Sequence, residues 1–474
     1  TVDLVFRTVG ERTSDLALER AVECVHPKRV HLIEGERPRG AAVAAMRRIE
    51  HDCDFVVFVD ADCLILEDLG PFLQRNRQPH VDCFVADPFR GRVRGGVRIT
   101  RIDVVRKMGE TDLQEDGAAY LLKPEARLWN AALRALGLER VCRSFDVVHG
   151  CFQHYRDLFA KYALREVGSR KDPHRRRLEV AMESWPDPPG SHEHEAARLG
   201  VLHAREALPE GPSSSQLLGF VESLRGAAEA ALERAGIPER PPLERDEVEG
   251  WMAARPRELR LPANKPKIFG IGLSRTGTRS LTAALHALGY DTVHYPADEE
   301  TFEALASGRG DFPLLEELDG VTDITAVPCY PQLDGLHPGS KFILTVREVE
   351  SWLRSCRYHW TDRPAFPTAE SPERGRYLRL RRLLRAAVYG CYDFDAERFT
   401  FVRDRHVQRV LRYFDGRPED LLVLDICGGE GWSELCRFLD RPIPPQPFPH
   451  DGQGLSKKMR AREARSRNEG EAAG

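Results

Sequence analysis

The segment best suited to chemistry is a glycine-containing loop between an apolar run and a helical pattern. It reads Ile268-Phe-Gly-Ile-Gly-Leu-Ser-Arg-Thr-Gly-Thr-Arg-Ser280. Such a loop aims backbone N–H groups and the positive end of a helix dipole at one point, where a phosphate or sulfate group binds. Gly272 and Gly277 have nearly the spacing of a P-loop, but Thr278 replaces the P-loop lysine. The loop therefore predicts an anion site and disfavours an ordinary ATPase or GTPase. A strand-turn-helix without a ligand is the alternative.

This loop resembles the phosphosulfate loop of the sulfotransferase superfamily, which follows the first strand and has the form Lys/Arg, Ser/Thr, Gly, Thr. The residues that match it, with the two that open the helix, are Arg275, Thr276, Gly277, Thr278, Arg279 and Ser280. The resemblance implies that the loop binds the sulfuryl donor 3′-phosphoadenylyl sulfate (PAPS). It also implies that Arg275, where lysine is usual, supplies charge and hydrogen-bond donors to the departing phosphosulfate. A planar guanidinium is not equivalent to an ammonium in this role.

Two later segments extend the resemblance over roughly residues 265–450. The second signature of the family is a strand ending in Arg with a Ser eight residues later, and together they grip the 3′-phosphate of the donor. Arg347 and Ser355 stand at that spacing. The third segment, 421–449, resembles the late loop that closes over the donor nucleotide. The donor contacts that it implies are Gly431 and Trp432. A packing role is the alternative for this tryptophan.

The chemistry also needs a base, because sulfuryl transfer is an in-line displacement helped by removal of the acceptor proton and by charge stabilisation at the leaving phosphate. It does not require a metal. Asp323, in Val321-Thr-Asp-Ile-Thr-Ala-Val-Pro328, lies where one branch of the superfamily has an Asp-containing acceptor-side loop. His294 competes for the role, since other branches use a histidine. A turn-capping Asp and an ordinary loop histidine are the structural alternatives.

A second candidate centre lies nearer the N-terminus. The apolar strand pattern from Phe55 runs into two carboxylates, Asp60 and Asp62. In extended chain, side chains at i and i+2 lie on one face. At the carboxyl end of a parallel strand, such a pair can hold Mn²⁺ or Mg²⁺ against the diphosphate of a sugar nucleotide. Solvated loop carboxylates are the alternative.

The order strand, helix, strand, helix, strand before this pair resembles the nucleotide-binding half of a glycosyltransferase of the A type (GT-A), over residues 1 to about 180. The further residues that this resemblance implies are the Pro38-Arg-Gly40 turn near the nucleotide sugar, Glu115 and Asp116 as the source of a catalytic base, and His149 and His154 as candidates to complete the metal site. A structural role is the alternative for each of them.

Two α/β units are needed to position these residues. Apolar runs alternate with helical patterns along about the first 200 residues and again from Ile268, which is typical of mostly parallel sheets. The predicted fold class is therefore α/β, with a GT-A-like N-terminal domain and a P-loop-like C-terminal domain that contains a parallel sheet. The expected divisions are a glycosyltransferase-like domain at 1–207, a helical and Pro-rich linker at 208–264, a sulfotransferase domain at 265–451 and a disordered basic tail at 452–474.

Composition and charge exclude other classes. The chain has 41% hydrophobic and 30% charged residues, as globular proteins do, and its net charge of −4 gives no case for nucleic acid as the main ligand. No apolar run approaches the roughly 20 residues that span a bilayer, and no secretion leader is visible. Eleven cysteines without a CxxC pair argue against a disulfide framework and against a Cys-ligated zinc. The expected compartment is a reducing cytoplasm.

Together the motifs predict a bifunctional transferase. One half would transfer a sulfuryl group from PAPS to a hydroxyl or amine, and the other would transfer a sugar from a sugar nucleotide with the help of a metal. The expected acceptor is a glycan, a lipid or a small molecule. Two alternatives stay open. The N-terminal half would be a catalytically inactive carbohydrate-binding module, or the C-terminal half a nucleotide-dependent kinase, against which the missing P-loop lysine counts.

Overall fold

The chain folds into two compact units. The computed structural model describes residues 1–37, 39–111, 124–170, 174–187, 190–262, 265–367 and 375–450. The first unit comprises Thr1–Leu261 with Pro444–Pro447, and the second comprises Pro262–Ile443 with the residues that follow Pro447. Within the described ranges, no helix is both long and apolar enough to cross a membrane.

A seven-stranded sheet forms the centre of the first unit. Its strands are β1 (Val2–Thr8), β2 (Arg29–Glu34), β3 (Phe55–Asp60), β4 (Cys63–Ile65), β5 (His80–Asp87), β6 (Gly91–Arg101) and β7 (Val141–His149). They lie in the order β2-β1-β3-β6-β5-β7-β4. The pairs β1–β2, β1–β3 and β5–β7 are parallel and the other pairs antiparallel. The sheet is thus mixed rather than mostly parallel, because a short turn makes β5 and β6 an antiparallel hairpin.

Helices cover both faces of this sheet. Those of the first unit are α1 (Ser14–Val25), α2 (Arg39–Arg47), α3 (Gly70–Arg75), α4 (Ile102–Glu110), α5 (Pro124–Ala135), α6 (Tyr155–Ser169), α7 (His174–Glu183), α8 (His192–Ala207), α9 (Ser214–Arg234) and α10 (Arg245–Ala254). Leu4 and Phe6 of β1 pack in one core with α1, whereas Val5 packs in another with α2, α4 and α5. The strand is therefore buried on both faces, as its continuous apolar run indicates.

The segment expected to be a linker contributes helices to the first unit. Leu217, Phe220 and Leu224 of α9 are buried in one cluster with Phe159 and Ala163 of α6. Their spacing of three and four residues places the α9 side chains on one face of the helix. This apolar face is buried against α6, so this part of the segment packs on the first unit.

A five-stranded sheet forms the centre of the second unit. Its strands are β8 (Ile268–Gly270), β9 (Thr292–His294), β10 (Gly320–Thr322), β11 (Lys341–Thr345) and β12 (Leu421–Leu424). They lie in the order β12-β11-β8-β10-β9, and every pair is parallel. The predicted α/β class is confirmed for both halves, and so is the parallel sheet of the C-terminal half.

Helices also pack on both faces of the second sheet. They are α11 (Thr278–Ala287), α12 (Glu299–Ala306), α13 (Tyr330–Leu336), α14 (Val349–Asp362), α15 (Gly375–Leu384), α16 (Ala396–Tyr413) and α17 (Trp432–Phe438), with a π turn at Arg385–Tyr389 after α15. Phe269 and Phe342 pack with α13 and α16, whereas Ile268 and Ile343 pack with α11 and α17. Since β8 lies in the middle, the loops after β8, β10 and β11 meet at the carboxyl edge of the sheet.

Candidate functional site

The predicted anion loop connects β8 to α11 in a tight turn. Position 272 requires glycine, because a Cβ there would collide with Thr345 Oγ1 at the end of β11. Gly277 has φ 102°, a left-handed conformation that favours glycine, and it lies against Ile426. The two glycines of the motif thus have steric explanations. The first amides of α11 have no acceptor within the helix and are directed out of its N-terminus, where they can bind an anion.

Side chains from α14 and the π turn hold the loop in place. The Ser274 amide donates to the Tyr389 hydroxyl at 3.1 Å, and Trp352 Nε1 donates to the Ser274 carbonyl at 2.9 Å. Thr276 Oγ1 donates to the Leu273 carbonyl at 2.6 Å. Because Trp352 and Tyr389 are fully buried, they hold the loop in one conformation. Sequence reasoning missed these supports, since Tyr389 lies 115 residues from the amide that it binds.

The predicted donor residues of the loop and of α14 come together. Arg275 Nε donates to Ser355 Oγ at 2.9 Å, and Arg347 Nη1 donates to the Arg275 carbonyl at 3.1 Å. Arg347 also donates to Ser351 Oγ, from Nε at 3.0 Å and from Nη2 at 2.6 Å. Two signatures that lie 72 residues apart in the chain therefore form one cluster. Ser351 belongs to it although no sequence motif singled it out.

The positive charge of this cluster is not neutralised within the described residues. There, Arg275 and Arg347 bind serine hydroxyls and a backbone carbonyl, and neither makes an ion pair with a carboxylate. Burial, together with the nearby Arg347 guanidinium, lowers the pKa of Arg275. Burial and the charge of Arg275 also lower the pKa of His359 to about 3, so this ring is neutral. A negatively charged ligand would stabilise such a cluster.

The two candidate bases lie side by side at the carboxyl edge of the sheet. His294 Nε2 is 3.4 Å from Asp323 Oδ2, and Thr278 Oγ1 lies 3.1 Å from His294 Nε2 and 3.4 Å from Asp323 Oδ1. Thr278 belongs to the anion loop, so its hydroxyl joins that loop to both bases. Asp323 is 6% exposed and has φ 78°. A buried, left-handed non-glycine residue at this edge is typical of a functional position.

The third predicted segment touches the anion loop through Ile426, which lies against Gly277. The Gly431 amide donates to Glu434 Oε2 at 2.9 Å where α17 begins. Trp432 packs edge-on against Phe448, with ring centroids 4.9 Å apart. The contacts described for this tryptophan are those of a packing residue.

In the first unit, the first carboxylate of the Asp-x-Asp pair is engaged by an arginine. The register of β1 against β3 sets Arg7 beside Asp60, and the two side chains form an ion pair. Arg7 also pairs with Glu125, whose other oxygen accepts from Arg98 Nη1 at 3.1 Å. Arg7 is buried. Sequence reasoning did not single out this arginine, although it ends the first apolar run as Asp60 ends the third.

The second carboxylate, Asp62, contacts a histidine and a lysine. Lys161 Nζ is 2.7 Å from Asp62 Oδ2 and 3.3 Å from His149 Nε2, which is itself 3.3 Å from the same carboxylate oxygen. Although burial raises it, the Lys161 ammonium and His149 hold the pKa of Asp62 well below its usual range. The structure therefore places His149 beside Asp62, together with a cation that the sequence did not indicate.

The remaining residues predicted for this centre are not part of that group. His154 Nδ1 lies 3.4 Å from Glu239 Oε1. It takes no part in the contacts of Asp62, because it follows the turn after β7 and lies just before α6. Glu115 and Asp116, with Pro38 of the predicted turn, lie outside the described residues.

Comparison with known families decides the class of the second unit. Residues 267–455 match a sulfotransferase domain. The prediction of such a domain in the C-terminal half is thereby confirmed. Over 211 residues, the chain is 28% identical to Ava biosynthesis cluster protein M of Aspergillus versicolor, and the match covers 39% of this chain and 80% of that protein.

Solved structures give weaker likenesses. The glycosyltransferase GlyE of Streptococcus pneumoniae TIGR4 is 11% identical, with a TM-score of 0.22 and coverage of 75% of this chain and 90% of that one. A putative glucose-1-phosphate thymidylyltransferase of Bacillus anthracis is 11% identical, with a TM-score of 0.22 and coverage of 31% of this chain and 89% of that one. These likenesses establish no activity for the unit that precedes the sulfotransferase domain.

The side chains around Asp62 do not fit a divalent ion as they are placed. Asp62, Cys63 and His149 offer ligand atoms within 4.8 Å of one another. Mg²⁺ requires oxygen ligands at about 2.0–2.1 Å in octahedral array, whereas the ammonium of Lys161 lies against both Asp62 and His149. Arg7 engages Asp60 in the same way. Positive charge at this carboxylate pair thus comes from side chains of the protein itself.

Proposed function

We propose that the sulfotransferase domain transfers a sulfuryl group from PAPS to the hydroxyl, or the amine, of an acceptor. One observation carries the proposal. The anion loop and the start of α14 form a single cluster whose guanidinium groups, Arg275 and Arg347, pair with no carboxylate among the described residues. PAPS carries a phosphosulfate at one end of its ribose and a phosphate at the 3′ position, so it supplies the anions that complement this cluster.

Each residue has a distinct role in this proposal. Arg275 and the backbone amides of residues 277–280 bind the phosphosulfate, where negative charge develops on the leaving phosphate. Arg347 and Ser355 bind the 3′-phosphate. The Ser355 hydroxyl accepts from Arg275 and keeps its own proton to donate. The hydrogen bond between Arg275 and Ser355 therefore links the proposed phosphosulfate site to the proposed 3′-phosphate site.

The reaction is an in-line displacement at sulfur. A bond forms between the acceptor oxygen and sulfur, the bond from sulfur to the bridging phosphate oxygen breaks, and adenosine 3′,5′-bisphosphate leaves with that electron pair. The acceptor proton passes to Asp323, or to His294 beside it. Thr278 contacts both bases and so positions them against the loop that holds the transferred group.

Adenosine 3′,5′-bisphosphate is expected to raise the melting temperature of the protein more than ATP does. A ligand at about 100 times its dissociation constant stabilises the folded state by about 2.7 kcal/mol. Arg347→Ala should erase the preference for the bisphosphate, because it removes the guanidinium assigned to the 3′-phosphate. Thermal shift with both nucleotides measures the difference.

Arg354→Ala is the matched control for this measurement. Arg354 is an exposed arginine of α14, the helix that follows Arg347, and its ion-pair partner is Glu350, at 3.8 Å. Its replacement should leave the bisphosphate preference intact. Equal stabilisation by ATP and the bisphosphate in the unaltered protein would favour a nucleotide-dependent kinase and count against PAPS as the donor.

We also propose that the first unit binds a sugar nucleotide at the carboxyl ends of β1 and β3 and transfers its sugar. The observation that favours this is the meeting of Asp60 and Asp62 with Arg7 and Lys161 at the edge where α/β sheets bind ligands. Lys161, which is partly exposed, would face the diphosphate directly. A carbohydrate-binding module without catalysis is the alternative.

Release of nucleoside diphosphate from a panel of sugar nucleotides is expected to continue in the presence of a chelator. Lys161→Met should lower the initial rate at least about 100-fold, as loss of one group that stabilises a developing charge does. Arg156→Met, which alters a nearby cation of α6 that pairs with Glu239 at 3.6 Å, is the control. Turnover that stops with the chelator would restore the metal-dependent interpretation. No turnover of any sugar nucleotide would favour the binding module.

A further inference from the structure

The first unit contains a second buried group of metal-binding side chains, at the amino ends of its parallel strands. This edge cluster consists of Asp3, His31, His51 and Cys53. Asp3 lies near the start of β1 and His31 lies on β2, while the other two residues precede β3. Because the candidate sites described above lie at the carboxyl ends of strands, this cluster belongs to neither of them.

Strand register brings the members together. Val5 of β1 pairs with His31 of β2. Since side chains alternate along a strand, Asp3, Val5 and His31 project to the same face of the sheet, the one that α2 covers. The connection from α2 to β3 then passes over this face with His51 and Cys53. The convergence is a consequence of the parallel β2-β1-β3 arrangement.

Asp3 is the centre of the edge cluster. Its Oδ2 lies 2.9 Å from His51 Nδ1 and 3.4 Å from His31 Nε2. The Asp3 side chain is fully buried and that of His51 is 2% exposed. Within the described residues, no lysine or arginine pairs with this carboxylate. A carboxylate removed from water is costly to keep without a compensating cation.

Two polar atoms in the edge cluster lack a hydrogen-bond partner. They are Asp3 Oδ1 and His51 Nε2, and both are buried. Buried polar atoms in folded proteins nearly always have a partner. Two orphaned atoms on adjacent metal-binding side chains therefore show that the contacts within the edge cluster leave both side chains incompletely satisfied.

We propose that the edge cluster binds one transition-metal ion of the Zn²⁺ type. A carboxylate, two imidazoles and a thiolate are each groups that bind Zn²⁺, and together they number the four ligands of its tetrahedral coordination. Bonds of 2.0–2.3 Å set neighbouring ligand atoms about 3.3–3.8 Å apart. Asp3, His51 and Cys53 offer ligand atoms within 4.8 Å of one another, and His31 Nε2 lies 3.4 Å from Asp3 Oδ2, so side-chain rotations admit the ion. Binding displaces the thiol proton of Cys53 to solvent and ties β1, β2 and the connection before β3 together.

The test uses the full chain, stripped with a chelator and titrated with ZnCl₂ alone against a chromophoric chelator. We expect one Zn²⁺ to be retained per chain. Cys53→Ser and His31→Gln should each weaken binding more than about tenfold, since even second-shell changes cost 10- to 100-fold. Co²⁺ in place of Zn²⁺ should give a thiolate charge-transfer absorption that Cys53→Ser removes. Both changed residues are only partly buried, so the variants retain their cores.

Two control variants make the assignment specific. Cys142→Ser changes another partly buried cysteine of the same unit, on β7, and should leave Zn²⁺ binding unchanged. Asp62→Asn changes the other group of metal-binding residues and should also have no effect. The proposal is overturned if the unaltered chain retains no Zn²⁺. It is equally overturned if binding survives both edge-cluster variants, or if Asp62→Asn removes it.

Discussion

Arg275→Ala should lower the rate of sulfuryl transfer by about 10²- to 10³-fold, the cost of losing one preorganised donor at a developing charge. The expected loss is large because Arg275 lies in the anion loop and, among the described residues, its guanidinium is bound to Ser355 rather than to a carboxylate. Alanine keeps the Cβ, so the backbone at φ 74° is no more strained than before. The initial rate of bisphosphate release from PAPS, with a panel of hydroxyl acceptors, measures the effect.

Arg275→Lys separates charge from geometry. An ammonium restores the positive charge that the superfamily pattern usually supplies at this position, but it cannot reproduce the planar fork of the guanidinium. We expect this variant to recover part of the rate. Arg357→Ala, which changes an exposed arginine of α14, should leave the rate unchanged. A normal rate in Arg275→Ala, or an equal loss in Arg357→Ala, would contradict the role assigned to Arg275.

Asp323→Asn should slow sulfuryl transfer about 100-fold or more, within the range typical for removal of a general base. Asparagine has nearly the same shape and tolerates the left-handed conformation at φ 78°. It can still accept a hydrogen bond from Thr278, but it cannot take the acceptor proton at neutral pH. We therefore expect a folded protein that binds the bisphosphate normally and turns over slowly. Thermal shift and the turnover number, measured together, separate the two effects.

His294→Gln is the companion variant and should be milder. The histidine lies 3.4 Å from the carboxylate and shares Thr278 with it, so its loss disturbs the position of the base and leaves the carboxylate in place. Loss of a purely turn-capping carboxylate at Asp323 would instead cost about 1 kcal/mol of stability without slowing turnover. If His294→Gln were inactive and Asp323→Asn nearly fully active, the two roles would be reversed.

Periodicity predicted the architecture of the second unit better than that of the first. In the second unit a crossover joins each strand to the next, so alternating strand and helix patterns translate directly into a parallel sheet. In the first unit β5 and β6 form a hairpin, and β6 returns beside β3 in antiparallel register. Runs of apolar residues do not reveal which strands pair. Nothing in the sequence of α9 indicates that its apolar face covers α6.

The candidate donor site was largely predictable, because its motifs are local. Gly277 is explained by a positive φ and Gly272 by the close approach of β11, and both follow from a tight turn between a central strand and a helix. The spacing of the two residues places Arg347 just after the end of a strand and Ser355 on the helix that follows. Trp352 and Tyr389, which hold the loop, escaped prediction because nothing near them in the chain marks them as its supports.

The sequence by itself determined the strand-loop-helix that can bind an anion, the Arg–Ser spacing of the second donor element and the paired carboxylates after β3. Each is encoded within a few residues, so spacing and periodicity suffice to detect it. Only the tertiary structure decided the partners of these groups. Lys161 reaches Asp62 across 99 residues, and His51 reaches Asp3 across 48. Such pairings depend on strand register and on the paths of the crossovers. A change of register moves every side chain of a strand at once, and the local sequence does not record which register forms.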